Sequence, residues 1–310
     1  MAPVELTSRG PNPEATAARP EYVWLNDDLL PLTEARISIL DRGFLYGDGF
    51  FETLRVEAGR PLFLAEHLER LQKSAQNFRI TWPDHVSWGR RLTHLVAANG
   101  LEKGLAAVKI LLSRGVQAHL GLPEPTKATL VIWARPYTPP NPAEYLAGWP
   151  AVVFPERRST FLGRHKSLNY LFYLAARQYA LDQGAREALI LESDGLVSEG
   201  AATSLLYKQG KEFYTPEAPS ALPGVTLKVL SQALTRRGHT LIFQPTPLSR
   251  LYEAEAVWLA NSLMGLMPVS ALNGTPIRLS PQDTAFLQDC LAAESKKGGK
   301  KLPATHSPRI

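Results

Sequence analysis

The 310 residues predict a two-domain α/β (α+β) chain. Three observations carry that expectation. Short strand-like apolar runs interleave with segments whose apolar residues recur at helical spacing, the mixed pattern of an α/β protein. The length is enough for two hydrophobic cores rather than one. Finally, Arg135-Pro136-Tyr137-Thr138-Pro139-Pro140-Asn141-Pro142 has the composition of a semi-rigid linker between two such cores. The expected division is an arm at 1–20, a small α/β domain at 21–138, a linker at 139–148, a larger domain at 149–294 and a basic tail at 295–310.

Composition narrows the function classes. With 45% hydrophobic and 20% charged residues, the chain reads as an ordinary globular protein. Its one cysteine, Cys290, excludes an intrachain disulfide and a cysteine metal cluster, which fits a reducing, cytoplasmic setting. No apolar run nears the roughly 18 residues that a membrane helix requires, so no membrane partner is expected. The net charge of +5 hints at nucleic acid, but its location removes the hint. Lys296, Lys297, Lys300, Lys301 and Arg309 all follow the last acidic residue, and the remaining 29 basic side chains match the 29 acidic ones. A neutral body with a short basic, disordered tail predicts no nucleic-acid partner.

Residues 1–20 are rich in Ala, Pro and small polar residues; they predict a disordered arm and lack the apolar core of a signal peptide. Order is expected from Tyr22-Val23-Trp24-Leu25, with Asn26-Asp27-Asp28 as a turn. Ala35 to Leu40 reads as a strand. Asp41 to Gly49 contains Gly43, Gly47 and Gly49, which predicts a tight, close-packed loop. Phe50 to Val56 and Pro61 to Leu64 form a hairpin about Ala58-Gly59. Leu64, Leu68, Leu71 and Ala75 then share one face of a helix running to about Phe78. A second helix covers roughly 84–98. Leu105 to Ser113 and Thr129 to Ala134 read as buried strands, joined by a loop beginning Arg114-Gly115.

The second half is organised around Arg164-His165-Lys166-Ser167-Leu168-Asn169-Tyr170-Leu171. Apolar residues at Leu168, Leu171, Phe172, Ala175, Ala176, Tyr179 and Ala180 predict an amphipathic helix with one buried face, closed by Gly184. Lys166 precedes it, either as a solvated charge or as an amine aimed into a cleft. Glu187 to Leu191 and Leu196 to Gly200, split by Ser193-Asp194-Gly195, make a β-hairpin that carries Glu199 into a Gly-Ala-Ala run. A lysine able to form a Schiff base, with a carboxylate brought near it, suggests a pyridoxal phosphate site: the carboxylate keeps the pyridine nitrogen protonated. Further on, Leu222-Pro223-Gly224-Val225-Thr226 opens an apolar helix ending at Gly238, and a helix start after glycine presents free N–H groups suited to phosphate. Glu255 to Ala260 is a strand leading into Asn261-Ser262-Leu263-Met264-Gly265-Leu266-Met267-Pro268-Val269.

Together these motifs resemble, in order, those of the class IV aminotransferases, the fold-type-IV pyridoxal phosphate enzymes. The amino-terminal signature is Asp41-Arg42, Tyr46 to Gly49 and Phe51 to Arg55; then come His67-x-x-Arg70-Leu71, Lys166 to Leu171, Val197 to Gly200 and Pro223 to Thr226. The resemblance implies that Lys166 is catalytic and holds the cofactor, and that Arg70, Gly224, Val225, Thr226 and Ser262 hold its phosphate. It places Tyr170 and Glu199 against the cofactor, and it offers Tyr46, Arg114 and Asn261 as substrate-binding residues. The loop from Arg114 carries fewer arginines and glycines than is usual in the family, and Thr203-Ser204-Leu205-Leu206 stands where Ser-Asn-Leu-Phe is common. Asn261 to Val269 is similar to the aminodeoxychorismate lyase branch. The resemblance therefore implies a lyase acting on a small amino substrate as a homodimer. A branched-chain or D-amino-acid aminotransferase is the alternative, and a non-catalytic binding member the remote one.

Overall fold

The computed structural model describes residues 21–123 and 127–297. The arm expected at 1–20 and the tail from 298 onward lie outside the described residues. The chain begins with β1 (Tyr22–Leu25) and β2 (Asp28–Pro31), then α1 (Arg42–Tyr46), β3 (Gly49–Glu57) and β4 (Arg60–Pro61). Helices α2 (Leu64–Asn77) and α3 (Trp88–Ala98) follow, and β5 (Leu105–Ser113) and β6 (Thr129–Pro136) close the first half. These strands form one antiparallel sheet of order β2-β1-β6-β5-β3-β4. Its core packs Phe50, Leu54 and Val56 of β3 under Leu71 and Ala75 of α2 and Leu92 and Leu95 of α3.

The second half opens with α4 (Pro142–Ala147), β7 (Trp149–Val153), a 3₁₀ turn at Phe161–Arg164 and α5 (Leu171–Asp182). Next come β8 (Glu187–Leu191), β9 (Val197–Gly200), β10 (Ser204–Gln209), β11 (Glu212–Pro216) and α6 (Val225–Arg236). The remainder is β12 (Leu241–Gln244), α7 (Leu248–Glu253), β13 (Ala256–Asn261), β14 (Gly265–Leu272), β15 (Thr275–Pro276) and α8 (Pro281–Lys297). Strands β7 to β15 build a nine-stranded sheet of order β12-β11-β10-β13-β14-β7-β8-β9, with β15 beside β14. It is mixed: β7 runs parallel to both β14 and β8. Helices α6 and α8 cover it through Leu230, Leu234, Leu287 and Cys290, which pack with Trp258.

Several sequence expectations need correction. Ala35 to Leu40 is not a strand; no strand of either sheet pairs with it, and Ile37 and Ile39 stand exposed. The alternation there marks an apolar surface, not a ladder. The glycine-rich loop contains α1, because the Asp41 carboxylate accepts the Gly43 N–H as an N-cap and Gly47, at φ 66°, ends the helix. The proline-rich linker contains α4, started by a capping box in which Asn141 and Glu144 bond reciprocally. The helix expected near 84 starts at Trp88. On α5 only Ala176 and Ala180 are fully buried, whereas Leu171 is 78% exposed. The basic tail expected from 295 is still helical through Lys297.

Candidate active site

A cavity of about 460 Å³ lies between the two sheets. Lys166, Tyr170, Glu199, Gly224, Val225 and Thr226 line it together with Arg70, Asn261 and Ser262. The sequence places these residues on five separate segments, and the fold gathers them.

Lys166 is held by the first sheet. Its carbonyl accepts the Phe51 N–H at 2.8 Å, and the Leu168 N–H donates to Gly49 O at 3.0 Å. The two-residue β4 leaves the amino-terminal part of β3 open, and residues 166–168 occupy that edge. The Lys166 amine sits 4.7 Å from the Phe51 ring centre and 5.4 Å from that of Tyr170. Burial in this aromatic surround, with a smaller push from the Arg70 charge, lowers its pKa from 10.5 to about 8; Glu52 and Glu199 act in the opposite direction.

Glu199, on β9, is buried. Tyr173 Oη donates to Oε1 at 2.7 Å and the Leu222 N–H to Oε2 at 3.1 Å. Burial raises its pKa to about 7 despite these two donors and the positive charges of Lys166 and Arg158. Tyr170 donates its hydroxyl to Ala201 O at 3.2 Å, and its ring stacks on Tyr173 at 5.0 Å.

Arg70 reaches the cavity edge from α2 in a fixed pose. Its Nε and Nη2 donate to the two oxygens of Glu52, both at 2.7 Å, and Nη1 donates to Pro223 O at 2.9 Å. His67 Nδ1 meets Glu52 at 2.7 Å as well. For Glu52, burial alone would raise the pKa; the Arg70 charge and the hydrogen bonds from His67 and Arg70 outweigh it and hold the carboxyl at about 2. A guanidinium has five N–H donors, so Arg70 keeps donors for an anion. Gly224 gives α6 no side-chain cap, which leaves the first N–H groups of that helix for a ligand.

These residues fit pyridoxal phosphate: an amine, a buried carboxylate and an anion cradle share one cavity. Arg158 Nη1, buried with no hydrogen-bond partner while its guanidinium lies over the Phe172 and Tyr173 rings, is a further donor in the same cavity.

Two expected substrate contacts do not belong to it. Arg114 is 1% exposed, and its Nε and Nη2 are paired with Asp48 at 2.7 and 3.1 Å. Its other donors go to Phe78 O and Arg79 O, so it is a buried structural ion, not a ligand for substrate. Tyr46 ends α1 outside the cavity, half-exposed, with the Arg42 guanidinium 5.1 Å from its ring centre.

Sequence reading missed Phe51, Thr53, Lys109, Arg158 and Tyr173, which all line the cavity. Three had a signal. Phe51 and Thr53 alternate on β3 away from the core-facing Phe50, Glu52 and Leu54, and register places Lys109 opposite Thr53. Arg158 and Tyr173 had none beyond composition.

A cleft with this amine, carboxylate and anion cradle between two sheets defines a pyridoxal phosphate enzyme of fold type IV. The chain belongs to the class IV amino-transferases, whose family model matches residues 49–272. It is 28% identical over 298 residues to the aminodeoxychorismate lyase of Bacillus subtilis (strain 168), covering 91% of this chain and 99% of that one. It is 27% identical over 261 residues to the D-alanine aminotransferase of Listeria innocua, covering 82% and 89%. Among solved structures, the branched-chain aminotransferase of the archaeon Thermoproteus uzoniensis with norvaline has a TM-score of 0.81 at 22% identity, covering 92% of this chain and 98% of its own.

Proposed function

We propose that this protein is a pyridoxal phosphate-dependent 4-amino-4-deoxychorismate lyase, which releases pyruvate and leaves 4-aminobenzoate for folate biosynthesis in the cytoplasm. The observation that carries this reading is the end-to-end similarity to the Bacillus subtilis lyase, 99% of whose length is matched. The turn after β13 adds to it. Asn261 Oδ1 accepts from the Leu263 and Met264 N–H groups at 3.0 and 2.9 Å, and Nδ2 donates to Ala202 O at 3.3 Å. The asparagine of the lyase-like motif thus shapes one wall of the cavity, and its side chain is spent on the turn, not on substrate.

Bound here, pyridoxal phosphate supplies an aldehyde for the substrate amine and a ring that accepts an electron pair. Arg70, the Val225 and Thr226 N–H groups and Ser262 hold its phosphate. Glu199 holds a proton on the ring nitrogen. Lys166 is the general base that removes the proton from the carbon beside the substrate nitrogen. An amine poised at about 8 is partly free at neutral pH and still basic enough for that task. The enolpyruvate would leave the neighbouring carbon with the electron pair of the broken C–O bond and take up a proton, returned by Lys166, to become pyruvate. The ring left behind would be aromatic, so aromatisation would drive the step and the protein need only place the base.

The D-alanine aminotransferase relative favours a second reading, and the two differ in whether turnover needs an acceptor. Supplied with aminodeoxychorismate and no 2-oxoacid, the purified protein is expected to release 4-aminobenzoate well beyond one equivalent. Light scattering on the same sample is expected to give a homodimer, with the exposed Phe44, Leu171 and Leu174 covered by a second copy. No such product, beside brisk turnover of D-alanine or leucine with 2-oxoglutarate, would transfer the assignment to an aminotransferase. Cofactor retention with neither turnover would leave a binding protein.

A further inference from the structure

Glu192 lies just after β8, in the hairpin that leads to Glu199, and is 2% exposed. Four donors converge on its two oxygens. Ser198 Oγ and the Ser220 N–H donate to Oε1 at 2.8 and 3.0 Å; Ser159 Oγ and Ser220 Oγ donate to Oε2 at 2.6 and 2.8 Å. No lysine, arginine or histidine forms an ion pair with it among the described residues. A buried carboxylate satisfied only by hydroxyls and one amide is costly to desolvate. Its placement shows what the arrangement does.

Each of the three serines belongs to a segment that serves Glu199. Ser198 is its chain neighbour. Ser220 lies two residues before Leu222, whose N–H donates to Glu199 Oε2. Ser159 follows Arg158, whose guanidinium lies 4.9 Å from the Tyr173 ring centre, and Tyr173 donates to Glu199 Oε1. The segments are also locked to one another. The Thr160 N–H donates to Ser220 Oγ at 2.7 Å, and the Ser193 N–H to Ser159 Oγ at 2.9 Å. Contact between the segments is close enough that a Cβ at Gly163 would come within 1.9 Å of Ser220 O.

We propose that Glu192 is a positioning residue for Glu199: by tying the 159, 198 and 220 segments to one buried carboxylate, it fixes the carboxylate that receives the cofactor's ring. This rests on Glu199 being the ring-nitrogen partner. A glutamine in its place presents an NH₂ group to donors on one side or the other. On the Oε1 side the Ser220 N–H is fixed to the backbone and cannot turn away.

The test is a double-mutant cycle on cofactor affinity, read by titrating pyridoxal phosphate into apoprotein. Glu192→Gln is expected to weaken binding by about 10-fold, the scale of one hydrogen bond to a charged group. In a Glu199→Gln background the same change is expected to cost less than about 2-fold, because the group it positions is already neutral. The pH midpoint of the bound cofactor's visible band should follow the same pattern, shifting with Glu192→Gln only when Glu199 is present. Ser198→Ala and Ser159→Ala, which each remove one donor, should show smaller losses with the same dependence on Glu199 and serve if Glu192→Gln does not fold. Equal losses in both backgrounds, or none with Glu199 intact, would overturn the proposal while leaving the cofactor site standing. If Glu199→Gln alone leaves affinity and the visible band unchanged, the Glu199 assignment falls with it.

Discussion

Glu52 and Glu199 are both buried beside the cavity, one on the first sheet and one on the second, and their surroundings treat them in opposite ways. Glu52 lies on the core face of β3 and receives both edges of the Arg70 guanidinium plus a histidine, which holds its carboxyl at about 2. Glu199 receives a tyrosine hydroxyl and a backbone N–H, with cations only at longer range, and sits at about 7. The first is a fixed charge whose work is to aim a guanidinium. The second is a group balanced between two protonation states, which suits a partner for a ring nitrogen that must keep its proton. Burial is common to both; a direct ion pair is what separates them.

The comparison breaks most sharply at Glu52. Glu52→Gln leaves the partly buried Arg70 beside a neutral partner. Because removing one member of a fully buried pair costs about 3–5 kcal/mol, a loss up to the lower end of that range is expected. Chemical denaturation should show a loss of that size. The depressed pKa also fixes the sign with pH: stability from Glu52 is present above its ordinary 4.5 and is lost as pH falls toward about 2. The variant's acid unfolding should therefore be shallower over that interval.

A smaller effect is expected at Arg70. Arg70→Ala removes charged hydrogen bonds worth roughly 1.5–3 kcal/mol each, so cofactor affinity should fall by about 10- to 100-fold on that scale. Fluorescence titration of the apoprotein measures it, and unchanged affinity would remove Arg70 from the phosphate cradle.

Smallest is a shift in titration. In the apoprotein the Lys166 amine should react with an acylating reagent at a midpoint near 8 instead of 10.5, as followed by mass mapping across pH. The midpoint should rise in Arg70→Ala, which removes a like charge, and fall in Glu199→Gln, which removes an opposite one. Opposite movements sharpen the contrast between the two sides; a midpoint at 10.5 in the parent protein would refute the buried amine.

Legibility in the sequence followed locality. Lys166, Glu199, Arg70 and the start of α6 each sit in a short run whose residue types suit the task that the resemblance implies, and all of them meet in the cavity. The turns at Asp194-Gly195 and Gly224 were readable for the same reason. What escaped depends on partners far along the chain. Arg114 is a substrate candidate only through the family resemblance of its loop, and Asp48, 66 residues away, ties up its guanidinium. Glu52 looked like one letter of a motif until α2 brought His67 and Arg70 onto it. Lys109 entered the cavity through strand register, which no run of residues displays. The stretch from Ala35 to Leu40 misled in the other direction: alternation was present, but a strand needs a neighbour to take its backbone groups.

The segment carrying Lys166 is bonded through its backbone to the open edge of β3, more than a hundred positions earlier in the chain. This makes assembly of the reactive centre conditional. During synthesis the receiving edge is complete long before the lysine emerges, so a template is waiting when it arrives. A nascent or broken second half has nothing against which to set the amine, and its lysine remains one among many in solvent. The buried aromatic setting that lowers the pKa of the Lys166 amine is thereby reserved for chains whose halves have met.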